Sequence, residues 1–265
     1  MDIWLEPDSS KDKTRTSQTL ARGLRILDCF VTYGEELGVA ELSNLLHLPR
    51  TVVARLVTTL AEHGYLAQNQ ENKKYRLGMS AYILGMHANR EYSLRQMAWP
   101  SMQCLAASSG ETVSLTMLDE ERLVGICIAS IDSPLPIKLT TRTGSVLPLH
   151  RGATRKILLA YASEAIKETV LTQLQEISQS SPDSVESLKK ELLEIRRKGY
   201  AYSEEELDDG AFAVAAPILT EKGELLAGIG VAGPIYRKTE ESLQRLISLI
   251  LSSAREIEKR WTQPL

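Results

Sequence analysis

Arg50 and Arg55, with Thr51, Val52 and Ala54 between them, place two guanidinium groups, a hydroxyl and small methyl-bearing side chains within two helical turns. That set can read base edges: arginine pairs bidentately with guanine, and a threonine or valine methyl meets the thymine methyl. Downstream, the cations Lys73, Lys74 and Arg76 surround no apolar run and suit phosphate oxygens, as does Arg22 further upstream.

These side chains act together only if the chain holds them on one surface. The apolar spacing predicts a short helix over Val39–Leu46, a tight connection at His47-Leu48-Pro49, and a longer helix to His63 stopped by Gly64. Proline fits a helix start, where its missing N–H matters least. Leu45 and Leu48, facing Val53, Leu56, Val57 and Leu60, recur at spacings of three and four and bury one face of each helix. Strand-like runs at Tyr65–Gln68 and Lys74–Leu77 flank the polar tip Asn69-Gln70-Glu71-Asn72-Lys73. This is the layout of a winged helix-turn-helix, whose second helix enters the major groove of DNA with its N-terminal residues. Two helices and a hairpin with solvated charges would be the blander reading. The agreement of turn, proline, glycine stop and basic wing weighs against it.

Ser17 can cap a preceding helix with apolar positions Leu20, Leu24, Leu27, Phe30 and Val31, ending near Gly34 and packing beneath the other two. Residues 1–14 are polar and patternless, a mobile tail; Lys11, Lys13 and Arg15 are equally an arm for the DNA backbone or minor groove and a solvated stretch.

At 265 residues, 43% hydrophobic and 25% charged, the chain can build two ordinary domains. The formal charge is −3, yet residues 11–80 carry ten bases against seven acids, so the remainder is acidic. Such asymmetry fits a DNA-binding head on a body with another task. No apolar run approaches the ~20 residues of a membrane helix, and the acids Asp2, Glu6 and Asp8 replace a signal segment, so the expected location is cytoplasmic, with no membrane partner. Cys29, Cys104 and Cys127 lack paired spacing and read as buried free thiols. The four histidines lack metal-ligand spacing. Only His150 falls where a site could form, and a structural role is favoured for it. Gly228-Ile229-Gly230-Val231-Ala232-Gly233 matches GxGxxG, but lies in a strand-like run that meets Pro234 instead of opening a helix. The acids Glu204, Glu205, Glu206, Asp208 and Asp209 read as a solvated loop. With no nucleophile–base constellation, no catalytic residue, metal or cofactor is assigned, and the chain reads as a non-enzyme.

Beyond Gly78, Met79–Arg90 reads as a linking helix and Tyr92–Ser109 as another, bent or restarted at Pro100. Strands are expected at Thr112–Leu118, Leu123–Ile131 and Ile137–Thr140, then a loop containing Gly144 and Pro148. Helices follow at Ala153–Tyr161, Glu164–Ile177 and Val185–Lys198, strands at Phe212–Leu219 and Leu225–Val231, and a final helix from Thr239 to Trp261. Hairpin strands with segregated helices predict an α+β domain with an antiparallel sheet. The domains expected are the tail 1–14, the mainly α winged head 15–79, the linking helix 80–92 and the body 93–265.

The segments TSQTLARGLRILDCF, SGETVSL, GSVLPLH, KGYAYSEEELDDG, FAVAAPIL and GIGVAGP, in this order, resemble the IclR-type transcriptional regulators over nearly the full length. The resemblance implies a homodimer or homotetramer binding a palindromic double-stranded operator, with a GAF-like C-terminal domain that binds a small-molecule effector. Members that bind small oxoacids place donors at the positions matching Ala153 and Thr154, after His150. They place an acid at Ser203, a cysteine at Ala213 beside Phe212, and serines at Gly230 and Ala232. Most of those anchors are missing here. Their loss implies a roomier apolar cavity, bounded by Met117, Ile128, Leu147, Leu149 and Phe212 and suited to an aromatic effector. Arg151 or Arg155 could pair with an effector carboxylate, or both could face solvent or a subunit interface. A GAF-like enzyme with a vestigial head, and a DNA-binding scaffold without effector, are the competing readings.

Overall fold

The computed structural model describes residues 17–87, 89–177 and 182–262, with side chains at 89–93, 177 and 182–184 excepted. The tail 1–14 and the basic residues Lys11, Lys13 and Arg15 lie outside the described residues. The chain divides into two compact units, Met1–Tyr92 and Ser93–Leu265.

In the first unit, α1 (Gln18–Thr32) opens where the Ser17 hydroxyl accepts from Leu20 N at 3.4 Å. Helix α2 (Val39–Leu46) starts where the Glu41 carboxylate accepts from Gly38 N at 2.6 Å. It ends at His47, whose φ of 52° reverses the chain. Ser43 locks that turn, its hydroxyl donating to Leu48 O at 2.6 Å. Helix α3 (Arg50–Glu62) begins one residue after the proline: Pro49 is its cap, its carbonyl accepting from Val52 and Val53. Gly64, at φ 74°, stops it. Strands β1 (Leu66–Gln68) and β2 (Tyr75–Leu77) form the antiparallel wing, and α4 (Met79–Met86) follows. The junction is tight: a Cβ on Gly78 would stand 2.2 Å from Gly64 O, so only glycine fits.

Helix α1 carries two apolar rows; of the expected positions Phe30 is buried and Leu27 packs half-buried on the core, and the rest of the buried face comes from the other row. Gly23, Ile26, Cys29 and Phe30 face the core shared with Leu42, Leu46, Val53, Leu56 and Val57. Leu20, Leu24 and Val31 are exposed, Leu20 at 63%. Positions 20, 24, 27 and 31 form one row, 23, 26 and 30 the next, and the core takes the second.

The second unit begins within α5 (Asn89–Ser109), which runs continuously past Pro100. The interruption expected near Arg90–Tyr92 falls instead after Met86, just beyond Gly85, a weak helix former. Strands β3 (Thr112–Asp119), β4 (Val124–Ile131), β5 (Val146–Pro148), β6 (Ala201–Glu204), β7 (Ala211–Leu219) and β8 (Leu225–Pro234) form one antiparallel sheet, ordered β5-β4-β3-β8-β7-β6. Two assignments change. Ile137–Thr140 is not a strand; Thr112 Oγ1 donates to Leu139 O at 2.5 Å and Lys138 pairs with Asp132 at 2.9 Å. The edge of β4 is taken by β5 from the presumed loop, where Pro148 is tolerated because an edge residue need not donate. Short β6 closes the other edge, and the GxGxxG look-alike is interior to β8.

Helix α9 (Glu240–Trp261) and α5 cover one face, with Leu105, Val113, Leu115, Val214, Ile229 and Ile250 between them. Helices α6 (Ala153–Tyr161), α7 (Glu164–Ile177) and α8 (Pro182–Lys198) cover the other, where Ala201 and Ala215 meet Ile157, Leu188 and Leu192. Of the cysteines, Cys29 and Cys127 are buried, whereas Cys104 is exposed, contrary to expectation, because α5 turns that flank to solvent. No helix among the described residues is long and apolar enough to cross a membrane.

Candidate DNA interface and effector site

Along α3, Arg50, Thr51 and Arg55 are exposed. Among the described residues neither guanidinium group is held in an ion pair or hydrogen bond, so both are free to meet a ligand. Val52 and Ala54 are half-buried, and Val52 packs against the three-helix core, which removes it from the outer surface. Thr58, unremarked in the sequence, is exposed one turn beyond Arg55, at the i+3 spacing that shares its face. Arg22 is half-buried on α1.

The wing cations differ in circumstance. Lys73 is exposed at the tip, at φ 58°, its ammonium donating to Gln70 Oε1 at 3.2 Å. Lys74 is tied to Glu41 at 2.9 Å, the same carboxylate that caps α2. Arg76 is exposed in a groove it shares with Glu35, Glu36, Gln68, Asn69 and Glu71. There the Asn72 and Asn69 amides, with Arg76 and Lys74 adding charge, hold the Glu36 carboxyl below its ordinary value.

In the second unit, register aligns the positions that match the family's pocket. Ser203, Ala213, Ala232 and Thr112 form one cross-strand row. Ala215, Gly230, Ser114 and Ser130 form the next. Helix α6 lies over them so closely that a Cβ on Gly230 would stand 2.3 Å from Thr154 Oγ1. Where the resemblance supplies a strand serine, this chain supplies a helix threonine and removes the strand side chain. Leu149 is buried beneath α6 with Ala153, and Leu147 is half-buried in register with Gly125.

Met117, Ile128 and Phe212 do not join them. All three pack on the opposite face of the sheet, with the α5 and α9 core. The cavity outlined from the sequence therefore mixed two faces. Phe212 neighbours Ala213 in a strand, so the two necessarily point apart. On β3 and β4, a register shift between Leu115 and Thr116 obscures the alternation.

The N-terminus of α6 is densely bonded. Ala153 N donates to Ser203 Oγ at 3.0 Å, and Gly152 N to Glu206 Oε2 at 2.9 Å. Lys156, 4% exposed, pairs with Glu206 at 2.5 Å and Glu191 at 2.6 Å. Arg151 is exposed and donates to the Glu206 carbonyl. Arg155, in contrast, is turned inward. His150 is half-buried; desolvation, then the charges of Arg151 and Lys156, hold its imidazole below the ordinary value against the opposing pull of Glu206. Lys156 went unnoticed in sequence, and Glu206, read there as a solvated loop acid, instead returns to the start of α6, which nothing local reveals. The arrangement suits an anion: a helix N-terminus presents N–H groups and partial positive charge, and here it already holds one carboxylate. Among the described residues no cluster of metal-binding side chains occurs.

Residues 86–259 match the model of the bacterial transcriptional regulator IclR C-terminal domain, and residues 19–70 that of the IclR helix-turn-helix domain. The chain is 28% identical to the HTH-type transcriptional regulator KdgR of Escherichia coli, covering 94% of this chain and 95% of that one. It is 32% identical to the E. coli regulator XynR over 81% of this chain and 85% of that one. Among solved structures, an IclR homolog from Microbacterium hydrocarbonoxydans complexed with 4-hydroxybenzoate superposes with a TM-score of 0.77 at 23% identity, covering 91% and 98% of the two chains. An IclR transcriptional regulator from Alicyclobacillus acidocaldarius gives 0.76 at 22% identity, covering 92% and 99%. Both share the fold over nearly the whole of the two chains. The order of elements and the two domain matches together place this chain in the IclR family of bacterial transcriptional regulators.

Proposed function

We propose that this regulator binds a palindromic operator as a homodimer or a pair of dimers and is controlled by a small organic acid, aromatic in character. The observation that carries the DNA half is the exposed, unpaired Arg50-Thr51-Arg55 surface on α3. These residues read bases in the major groove while Lys73, Arg76 and Arg22 hold phosphates. Lys74 contributes less, because it must exchange Glu41 for a phosphate. Two helices repeat the reading about 34 Å apart along the duplex. The exposed apolar residues Leu20, Leu24 and Val31 of α1 and Tyr82, Ile83 and Met86 of α4 support association with a second copy.

For the body, the missing strand hydroxyls at Gly230 and Ala232 favour an effector with an apolar ring over a small oxoacid. The head–linker–body division falls at 80–92, and the effector acts by its differential affinity for two placements of the paired heads. No turnover of the bound ligand is expected, and the protein works in the cytoplasm, where its operator lies. Selection from random DNA tests the first half: a palindromic motif should emerge, and its absence would refute operator reading. Calorimetry against aromatic acids and oxoacids tests the second; binding of glyoxylate or pyruvate alone contradicts an aromatic effector.

A further inference from the structure

Arg155 stands on α6 with only 9% of its surface exposed. Its stem crosses β4 at Gly125, where a Cβ would stand 3.2 Å from Arg155 Cγ. Its Nη1 lies 3.4 Å from the position a Cβ on Gly152 would take, and Leu207 covers the same point from the acidic loop, its Cδ1 2.6 Å away. The guanidinium is thus held between the sheet and the start of α6, beneath the loop.

Among the described residues no carboxylate contacts it there. Among the described residues its Nε is buried without an acceptor, and no ion pair reaches the group. Cys127, facing it from β4, is a neutral thiol, pushed up to about 11 by its own burial. Asp208 acts on the arginine only through its charge, without contact. Lys156, one residue on, shows what this fold does with a cation it means to satisfy: two carboxylates meet it. A buried, unpaired cation is among the most unfavourable arrangements a protein retains. A second orphan shares the face. Ser130, in register with Ser114 and so on the α6 side of β4, has a buried hydroxyl without a partner.

We infer that Arg155 is the anion anchor of this regulator, receiving the carboxylate of its effector between α6 and β4. The inference rests on the effector-binding reading above and deepens it. The strand serines and the acid that the resemblance implies are absent, and the anchor comes from a further residue of the helix. An effector then needs one anionic end and an uncharged remainder.

The test uses the full-length protein and calorimetry with benzoate, 4-hydroxybenzoate and pyruvate, beside the neutral benzamide and 4-hydroxybenzamide. At least one acid should bind, and its amide should bind roughly ten- to a hundredfold more weakly, as expected for loss of a charge-assisted bond. Arg155→Met should weaken the acid by a similar factor and leave the amide nearly unchanged. It should melt, without ligand, no lower than the wild type, since no bond is lost. Arg155→Lys, which keeps the charge but not the fork, should fall between. Equal binding of acid and amide by the wild type overturns the inference with no variant needed. So does an acid that binds Arg155→Met undiminished, and either result leaves the effector reading standing. If no acid binds the wild type while operator binding is intact, the organic-acid reading itself fails and takes the anchor with it.

Discussion

Single side chains in the head carry separable tasks. Replacing Arg50 or Arg55 with alanine should weaken operator binding by about 1–3 kcal/mol while leaving random DNA nearly unaffected. Fluorescence anisotropy on both duplexes measures this, and equal losses on the two would remove the base-reading role. The wing lysines should separate by salt dependence. Lys73→Ala should flatten the slope of log K against log salt by about 0.9, one phosphate contact. Lys74→Ala should change it less, because its exposed pairing with Glu41 competes with DNA and the exchange nets little. His150 supplies a pH test. Its imidazole sits below the ordinary histidine value of 6.5 because burial disfavours the cation. The unfolded chain therefore takes up the proton first, so this residue's contribution is complete above about pH 6.5 and is lost as pH falls below it. Melting curves between pH 5 and 7.5 should show a steeper acid loss in the wild type than in His150→Gln; parallel curves would contradict it.

At the scale of elements, the head was legible because its signals are local. Pro49, the Gly64 stop and the polar tip each mark a boundary through the chemistry of one or two residues. The α1 face was not, since two adjacent apolar rows offered themselves and only packing against α2 and α3 chooses between them. In the body, strands were found and faces were not. β3, β4 and β7 are covered on both sides, so hydrophobicity no longer alternates, and Met117, Ile128 and Phe212 were grouped with residues of the opposite face. The short edges β5 and β6 have too few residues for any pattern. Gly78 is an element-level prediction. Alanine there meets Gly64 O at 2.2 Å and must push the wing from α3, destabilising the head by about 1–3 kcal/mol in denaturant titration.

For the whole molecule, charge and apolar surface divide the labour. The head is basic within an acidic chain, so DNA draws the reading surface and repels the rest. The exposed row of α1 invites a second copy, and Leu24→Glu should shift sedimentation toward a smaller species. The same change should lower affinity for a full palindrome far more than for a half-site; an unchanged mass would move the interface elsewhere.

The junction at Gly64 and Gly78 also has a mechanical meaning. Ser80, in the first turn of α4, donates its backbone N–H to Gly64 O at 3.1 Å and its hydroxyl to His63 O at 3.0 Å, while Gly78 N donates to Tyr65 O at 2.8 Å. The last turn of the recognition helix, the root of the wing and the first turn of the linker thus share one knot of bonds with no slack. A torque applied along α4 arrives undamped at the groove-reading helix, and wing and helix swing as a single rigid jaw. Control of such a head calls for no unfolding and no change of its own shape. In the dimer proposed above, a twist at the linker moves each head as one piece against the turn of the duplex.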